Sequence, residues 1–214
     1  MRVGVFGDSY AAKWPNETSD NLGWVSLLEQ FGYSIDNYGV SASSLYYSWK
    51  KFKSCDLTQY DKIVFIETQW DRHFIPHISN KERLQHMPNI KQLDKMYNLC
   101  DSNEKEILAA LKQYWILVNQ DDQKKDLHQL MLKDLILSRP DMLIIPAFGP
   151  GQCFTKGRCL YNMSWVYRLF PNSDVVDDND SSFNLSLVNH LTLNARIRLA
   201  NSVNEWITTE IFSL

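Results

Sequence analysis

Four short polar segments carry groups that could perform acyl transfer through a serine nucleophile. They occupy residues 7–10, 37–41, 68–72 and 189–192. Between them they supply a serine (Ser9), a glycine amide (Gly39), an amide side chain (Gln69) and a histidine (His190). A serine is a weak nucleophile until a neighbouring imidazole accepts its proton, and backbone and amide N–H groups stabilise the oxyanion that follows. The chemistry therefore requires that all four segments meet at one place.

The spacing of the apolar residues predicts the strands and helices that would bring these segments together. Buried parallel strands are predicted over residues 2–6, 33–38, 63–66 and 142–147. Apolar residues at helical spacing predict a helix from Trp24 to Phe31, another after Ser43 or Ser44, and a final one from Leu193 to Ile211. Strands that alternate with helices indicate a parallel sheet with helices on both faces, and such sheets bind ligands at the carboxyl ends of their strands.

About seventy residues separate the third and fourth predicted strands, far more than a loop of this fold class needs. We interpret residues 72–139 as an insertion that contains a helical hairpin and shades the site. Each helix of the hairpin is predicted to bury one apolar face. The face of the first helix consists of Ile107, Leu111, Tyr114, Trp115 and Val118. The face of the second helix consists of Leu127, Leu130, Met131 and Leu135.

Composition excludes several classes of protein. The chain has 214 residues, 44% of them hydrophobic, which fits one globular domain with a substantial core. A formal charge of −3 provides no global basic field for nucleic acid. No apolar run approaches the ~18 residues of a membrane span, and the apolar start is too short for a secretory signal, so we expect a cytoplasmic protein. No nucleotide-binding glycine loop or metal-ligand spacing is present, and no cofactor or metal is predicted.

The order of the motifs resembles the SGNH hydrolases, also called GDSL-type esterases. Gly7-Asp8-Ser9-Tyr10 is similar to the block that carries the family's nucleophile, and Asn189-His190-Leu191-Thr192 is similar to the block that carries its general base. Gly39 follows the second strand, where the family places an oxyanion-hole glycine. The resemblance spans nearly the whole chain and implies a single domain over residues 1–214. Its expected fold is a flavodoxin-like three-layer α/β/α sandwich with a mostly parallel sheet.

The resemblance also implies residue roles. Ser9 would attack, His190 would act as base and then acid, and the amides of Ser9 and Gly39 would hold the oxyanion. Gln69 stands nearest to the place where the family has an oxyanion-stabilising asparagine. The position three residues before the histidine, where the family has an acid, is Leu187. Either a backbone carbonyl or an acid of the 174–180 stretch orients His190, or activity has been lost.

The remaining polar and aromatic residues have two interpretations each. Trp70 and Arg72 are candidates for substrate binding, against the alternatives of core packing and a surface ion pair. Ser41 is a rival nucleophile, but it lacks the second glycine of a nucleophile elbow. No role is assigned to the other histidines, which are His73, His77, His86 and His128.

These residues support two hypotheses about function. The first is a serine esterase that removes an O-acyl group, by resemblance acetyl, from a carbohydrate or another small ester. The alternative is a binding or structural module whose site has decayed and whose helical insertion contacts a partner. No nucleic acid or membrane partner is predicted.

Overall fold

The computed structural model describes residues 1–13, 17–41, 43–68, 73–74, 86–87, 97, 100–117, 121–146 and 191–209. Strands and helices alternate along these residues. The strands are β1 (Arg2–Phe6), β2 (Ser34–Asn37), β3 (Lys62–Glu67), β4 (His73–Phe74), β5 (His86–Met87) and β6 (Leu143–Pro146). The helices are α1 (Trp24–Gln30), α2 (Leu45–Ser54), α3 (Ser102–Leu117), α4 (Asp121–Ser138) and α5 (Leu193–Thr209), with a 3₁₀ turn at Leu57–Gln59.

Within the described ranges, four strands form one parallel sheet in the order β2-β1-β3-β6. Val5 of β1 lies opposite Val64 of β3, and Val64 in turn lies opposite Leu143 of β6. The chain runs outward from β1 to β2 and then crosses back to β3, so the strand order reverses at β1. This is the doubly wound arrangement, in which the carboxyl ends of β1, β2 and β3 meet at one edge of the sheet. The two-residue strands β4 and β5 pair antiparallel with each other.

Helices cover both faces of this sheet. Helices α1 and α5 cover one face with residues that include Leu28, Leu199 and Val203. Helices α2 and α4 cover the other, where Phe52 and Leu135 pack with the strands. The alternation of β3 places Val64 and Ile66 in the first core and Ile63 and Phe65 in the second. The predicted three-layer α/β/α sandwich is therefore confirmed.

The predicted strands are all present, and no bound differs from the prediction by more than one residue. Two helices also occupy the region between β3 and β6, but their buried faces differ from the predicted stripes. Leu127 and Leu130 are exposed, and so is Tyr114. The buried positions of α4 include His128, Leu132 and Leu135. The prediction was right at Leu135 but wrong at Tyr114, Leu127 and Leu130. Leucines occur all around α4, so apolar spacing alone does not select its buried face.

None of the described helices is long and apolar enough to cross a bilayer. In the same part of the chain, no three His, Cys, Asp or Glu side chains are grouped so that they could hold a metal ion.

Candidate active site at the end of the first strand

A tight turn follows β1 and is organised by Asp8. The Oδ1 atom of Asp8 accepts a hydrogen bond from the N–H of Tyr10 at 3.0 Å. Its backbone carbonyl accepts from the N–H groups of Ala11 and Ala12 at 3.0 and 2.9 Å. Three successive amides after Ser9 are thus directed at one residue. The turn begins at Gly7, whose φ of +147° and whose contact with Ile66 leave no room for a side chain.

The polar groups of Ser9 take no part in the hydrogen bonds that form this turn. Over the described ranges, neither its N–H nor its hydroxyl makes a hydrogen bond. The residue is half-buried, whereas Asp8 and Tyr10 on either side are buried. Within the described part of the chain, the turn therefore leaves one hydroxyl and one amide without a hydrogen-bond partner.

Asp8 also ties the turn to the neighbouring strand. Its side chain is fully buried, and Oδ2 accepts a hydrogen bond from Oγ1 of Thr68 at 2.9 Å. Thr68 directly follows β3. The interpretation of the sequence did not assign a role to Asp8 or Thr68, although both are polar residues at the ends of adjacent predicted strands, which is the available signal.

Gly39 packs directly against the same turn. A Cβ at this position would lie 2.3 Å from the carbonyl carbon of Ala11 and from the nitrogen of Ala12. Glycine is therefore required by a close approach of two backbones. The N–H of Gly39 donates to Oδ1 of Asn37 at 2.8 Å. This amide is engaged by its own chain, and an oxyanion would have to replace the Asn37 side chain as its acceptor.

The backbone around Gly39 is held beside β1. The N–H groups of Tyr38 and Val40 donate to the carbonyls of Val5 and Gly7 at 2.7 and 3.1 Å. The hydroxyl of Ser43 also donates to the carbonyl of Gly7 at 3.1 Å. The segment after β2 and the turn after β1 therefore form one unit.

A small cavity opens beside Ser9 on the face of α1 and α5. Its volume is about 20 Å³, which accommodates about one water molecule. The Nε1 atom of Trp24 donates to the carbonyl of Tyr10 at 2.5 Å and closes one side. The lining residues are Ser9, Tyr10, Ala12, Gly23, Trp24, Leu191 and Arg196. Leu191, which directly follows His190 in the sequence, thus shares a cavity with the Ser9 turn.

Arg196 of α5 is the charged group of this cavity, and sequence reasoning missed it. It is buried, and it donates to the carbonyl of Leu22 and to Oδ1 of Asn21, both at 2.6 Å. Burial lowers the pKa of the guanidinium to about 10, an effect that the charge of Glu17 opposes. Arg196 is still a cation at neutral pH. It attaches the segment before α1 to the first turns of α5.

Several predicted site residues lie outside the described residues. These are the catalytic candidate His190, the oxyanion candidate Gln69 and the substrate-binding candidates Trp70 and Arg72. Leu187 and the acidic stretch 174–180 also lie outside them. The structure brings together Ser9, Gly39 and Leu191, while the rival nucleophile Ser41 is exposed beyond the close contact between Gly39 and the turn.

Fold and site together define an α/β protein of doubly wound strand order that presents a serine at the carboxyl end of its first strand. No family model matches the chain, and no curated protein matches it in sequence.

Solved structures similar to the chain include three bacterial proteins. A protein of the G-D-S-L family from Desulfitobacterium hafniense is 12% identical with a TM-score of 0.41, and the match covers 96% of this chain and 98% of that one. A variant acetyl xylan esterase from Geobacillus stearothermophilus has the same identity and TM-score, with 100% and 97% covered. The lipase/acylhydrolase from Enterococcus faecalis is 13% identical with a TM-score of 0.41, with 97% and 95% covered.

Proposed function

We propose that this chain is a serine ester hydrolase in which Ser9 is the nucleophile. The observation that supports this most directly is the turn after β1. It uses the amides of residues 10–12 internally and leaves the N–H and hydroxyl of Ser9 without a partner in the described part of the chain. The motifs that resemble the SGNH hydrolases at Ser9 and His190 agree with this assignment.

In the proposed reaction, His190 accepts the proton of Ser9 as Oγ bonds to the acyl carbon of the ester. The amide of Ser9 stabilises the oxyanion, joined by the amide of Gly39 once the Asn37 side chain releases it, and by Gln69. Collapse breaks the bond to the alkoxy oxygen, and His190 returns the proton to the departing alcohol. Water then hydrolyses the acyl-enzyme by the reverse proton transfers.

We further propose that the substrate is a small O-acyl ester, with an acetylated carbohydrate as the first class to test. The resemblance of the sequence motifs supports this choice.

The test is hydrolysis of a short activated acetate ester by the wild type, by Ser9→Ala and by Ser41→Ala as the matched control. We expect Ser9→Ala to lower kcat by at least about 10³-fold and Ser41→Ala to leave it within about twofold. The double variant Ser9→Ala/His190→Ala should be no slower than Ser9→Ala, because the two residues act as one unit. Wild-type activity that survives in Ser9→Ala would refute the proposal. Absence of hydrolysis by every protein, on acetylated sugars as well, would favour a binding module with this fold.

A further inference from the structure

A buried histidine and a buried glutamate meet at the carboxyl end of β3, and the proposed reaction uses neither of them. Nε2 of His128, on α4, lies 2.9 Å from Oε1 of Glu67, the last residue of β3. Their side chains are only 7% and 5% exposed. The two atoms share one hydrogen bond, whose donor depends on the tautomer of the imidazole. Oε2 of Glu67 is buried and has no partner among the described residues.

Burying this polar pair costs free energy that an apolar contact between a helix and a sheet would not cost. Removing two polar groups from water costs free energy, and apolar replacements of similar volume are often neutral or stabilising. Neighbouring contacts of the same two elements are apolar, since Leu132 and Leu135 of α4 pack in one core with Phe65 of β3. Attachment of α4 therefore does not by itself account for the pair.

The position of the pair connects it to the nucleophile turn. Thr68 follows Glu67 directly, and its hydroxyl donates to the same Asp8 whose other oxygen organises the Ser9 turn. Successive residues at a strand end point to opposite faces of the sheet. Glu67 accordingly faces α4, while Thr68 faces the turn. A continuous path of contacts thus runs from His128 through the end of β3 to Asp8.

His128 and the Ser9 cavity lie on opposite faces of the sheet. His128 is buried on the face covered by α2 and α4, whereas the cavity is lined from the face of α1 and α5. Among the residues that the structure describes, the contacts that lead from His128 to the Ser9 turn run through residues 67 and 68.

We infer that Glu67 and His128 are positioning residues that hold the end of β3, and with it Thr68, in register with the Ser9 turn. The expected effect on catalysis rests on the proposed function, whereas the effect on the turn does not. The hydrogen bond to His128 restrains the side chain of Glu67, the residue before Thr68. When this hydrogen bond is lost, we expect Thr68 to move relative to Asp8. The expected consequence is a loosened turn in a protein that remains folded.

The decisive variant is the double replacement Glu67→Leu/His128→Leu, which removes both polar groups together. We expect a Tm equal to or above that of the wild type, but at least a tenfold lower kcat with KM within about twofold. Amide hydrogen exchange at Tyr10, whose N–H donates to Asp8, should become faster. The variant His128→Gln retains a donor and should keep most of the activity.

The matched control is Leu135→Ala on the same helix, which removes core packing without touching the pair. It should lower Tm while leaving kcat of the folded protein and exchange at Tyr10 near their wild-type values. The inference is overturned if the double variant keeps wild-type kcat and Tyr10 exchange, or if it behaves like Leu135→Ala. If the wild type shows no Ser9-dependent hydrolysis, the proposed function fails, and exchange at Tyr10 alone decides whether the pair positions the turn.

Discussion

At the scale of single residues, the site depends on backbones that approach one another too closely for side chains. Gly7 and Gly39 lie on either side of the turn that carries Ser9, and each would place a Cβ less than 3.0 Å from its neighbours. The contact at Gly39 is with backbone atoms of Ala11 and Ala12, which cannot rotate away as a flexible side chain could. These two glycines set the distance between the end of β2 and the Ser9 turn.

Gly39→Ala should therefore lower the free energy of unfolding by at least about 2 kcal/mol, because the added methyl group must displace the turn. The matched control is Gly4→Ala, where a Cβ would meet ring atoms of Phe6 and Tyr60 at 3.2 Å. That change should cost under about 1 kcal/mol, since alanine is also the better residue within a strand. Urea denaturation followed by tryptophan fluorescence measures both. If both variants lost the same free energy of unfolding, the close backbone contact at Gly39 would not be the cause of the loss.

At the scale of elements, α4 is joined to its surroundings at several points along its length. Asp134 accepts a hydrogen bond from Nε1 of Trp49 on α2 at 2.7 Å. Just beyond the helix, Arg139 donates to the carbonyls of Leu57 and Tyr60 at 2.6 and 2.9 Å and pairs with Asp141. The end of α4, the 3₁₀ turn and the approach to β6 are thereby held together.

Asp141 gives this junction a dependence on pH. Partial burial raises the pKa of its carboxyl, but the hydrogen bond from Arg139 and the charge of Lys62 outweigh burial, so the pKa is lower than usual. A carboxyl with a depressed pKa in the folded state contributes stability above its unfolded pKa of about 3.9. That contribution is lost as pH falls through the folded value.

We therefore expect Asp141→Asn to be less stable than the wild type at pH 7. The difference should be at most about 1 kcal/mol, because the carboxyl is 47% exposed and solvent screens the pair. It should shrink below pH ~4 and vanish once Asp141 is protonated in the folded wild type. The control is Glu29→Gln, an exposed carboxylate with no ion pair in the described ranges, which should show no such convergence. A difference independent of pH would contradict this account.

At the scale of the whole molecule, Arg196 joins segments that are about 175 residues apart in sequence. Its guanidinium lies between α5 and the segment before α1, and it lines the cavity beside Ser9. The N–H of Gly23 at the start of α1 donates to Oε1 of Glu17 at 3.0 Å, in the same segment. The last described helix therefore helps to build the site at the first strand.

Arg196→Met should lower the free energy of unfolding by about 2–4 kcal/mol, since it leaves the carbonyl of Leu22 and the side chain of Asn21 without their buried donor. The matched control is Arg198→Met, an exposed arginine on the same helix, for which we expect under about 0.5 kcal/mol. Thermal and urea denaturation give both values. Limited proteolysis near residues 17–23 should be faster in Arg196→Met alone. Equal effects of the two variants would mean that the buried contacts of Arg196 do not hold this segment.

The layers of the fold and the position of Ser9 could be predicted from the amino-acid sequence alone. Valine, isoleucine and phenylalanine runs mark the buried strands because a strand covered on both faces must be apolar along its length. Gly7 and Ser9 come directly after the first such run, so the end of β1 could be identified as the place of the turn. Both features depend only on residues that are close together in the sequence.

The residues that approach the Ser9 turn from distant parts of the chain could not be predicted in this way. The engaged amide of Gly39, the hydrogen bond between Thr68 and Asp8, and the burial of Arg196 each depend on how separate elements approach one another. The buried face of α4 is another case: leucines surround the helix, and packing turned His128 inward while Leu127 and Leu130 stayed exposed. Periodicity records which residues are apolar, but the partner of a buried polar group is set by three-dimensional contact.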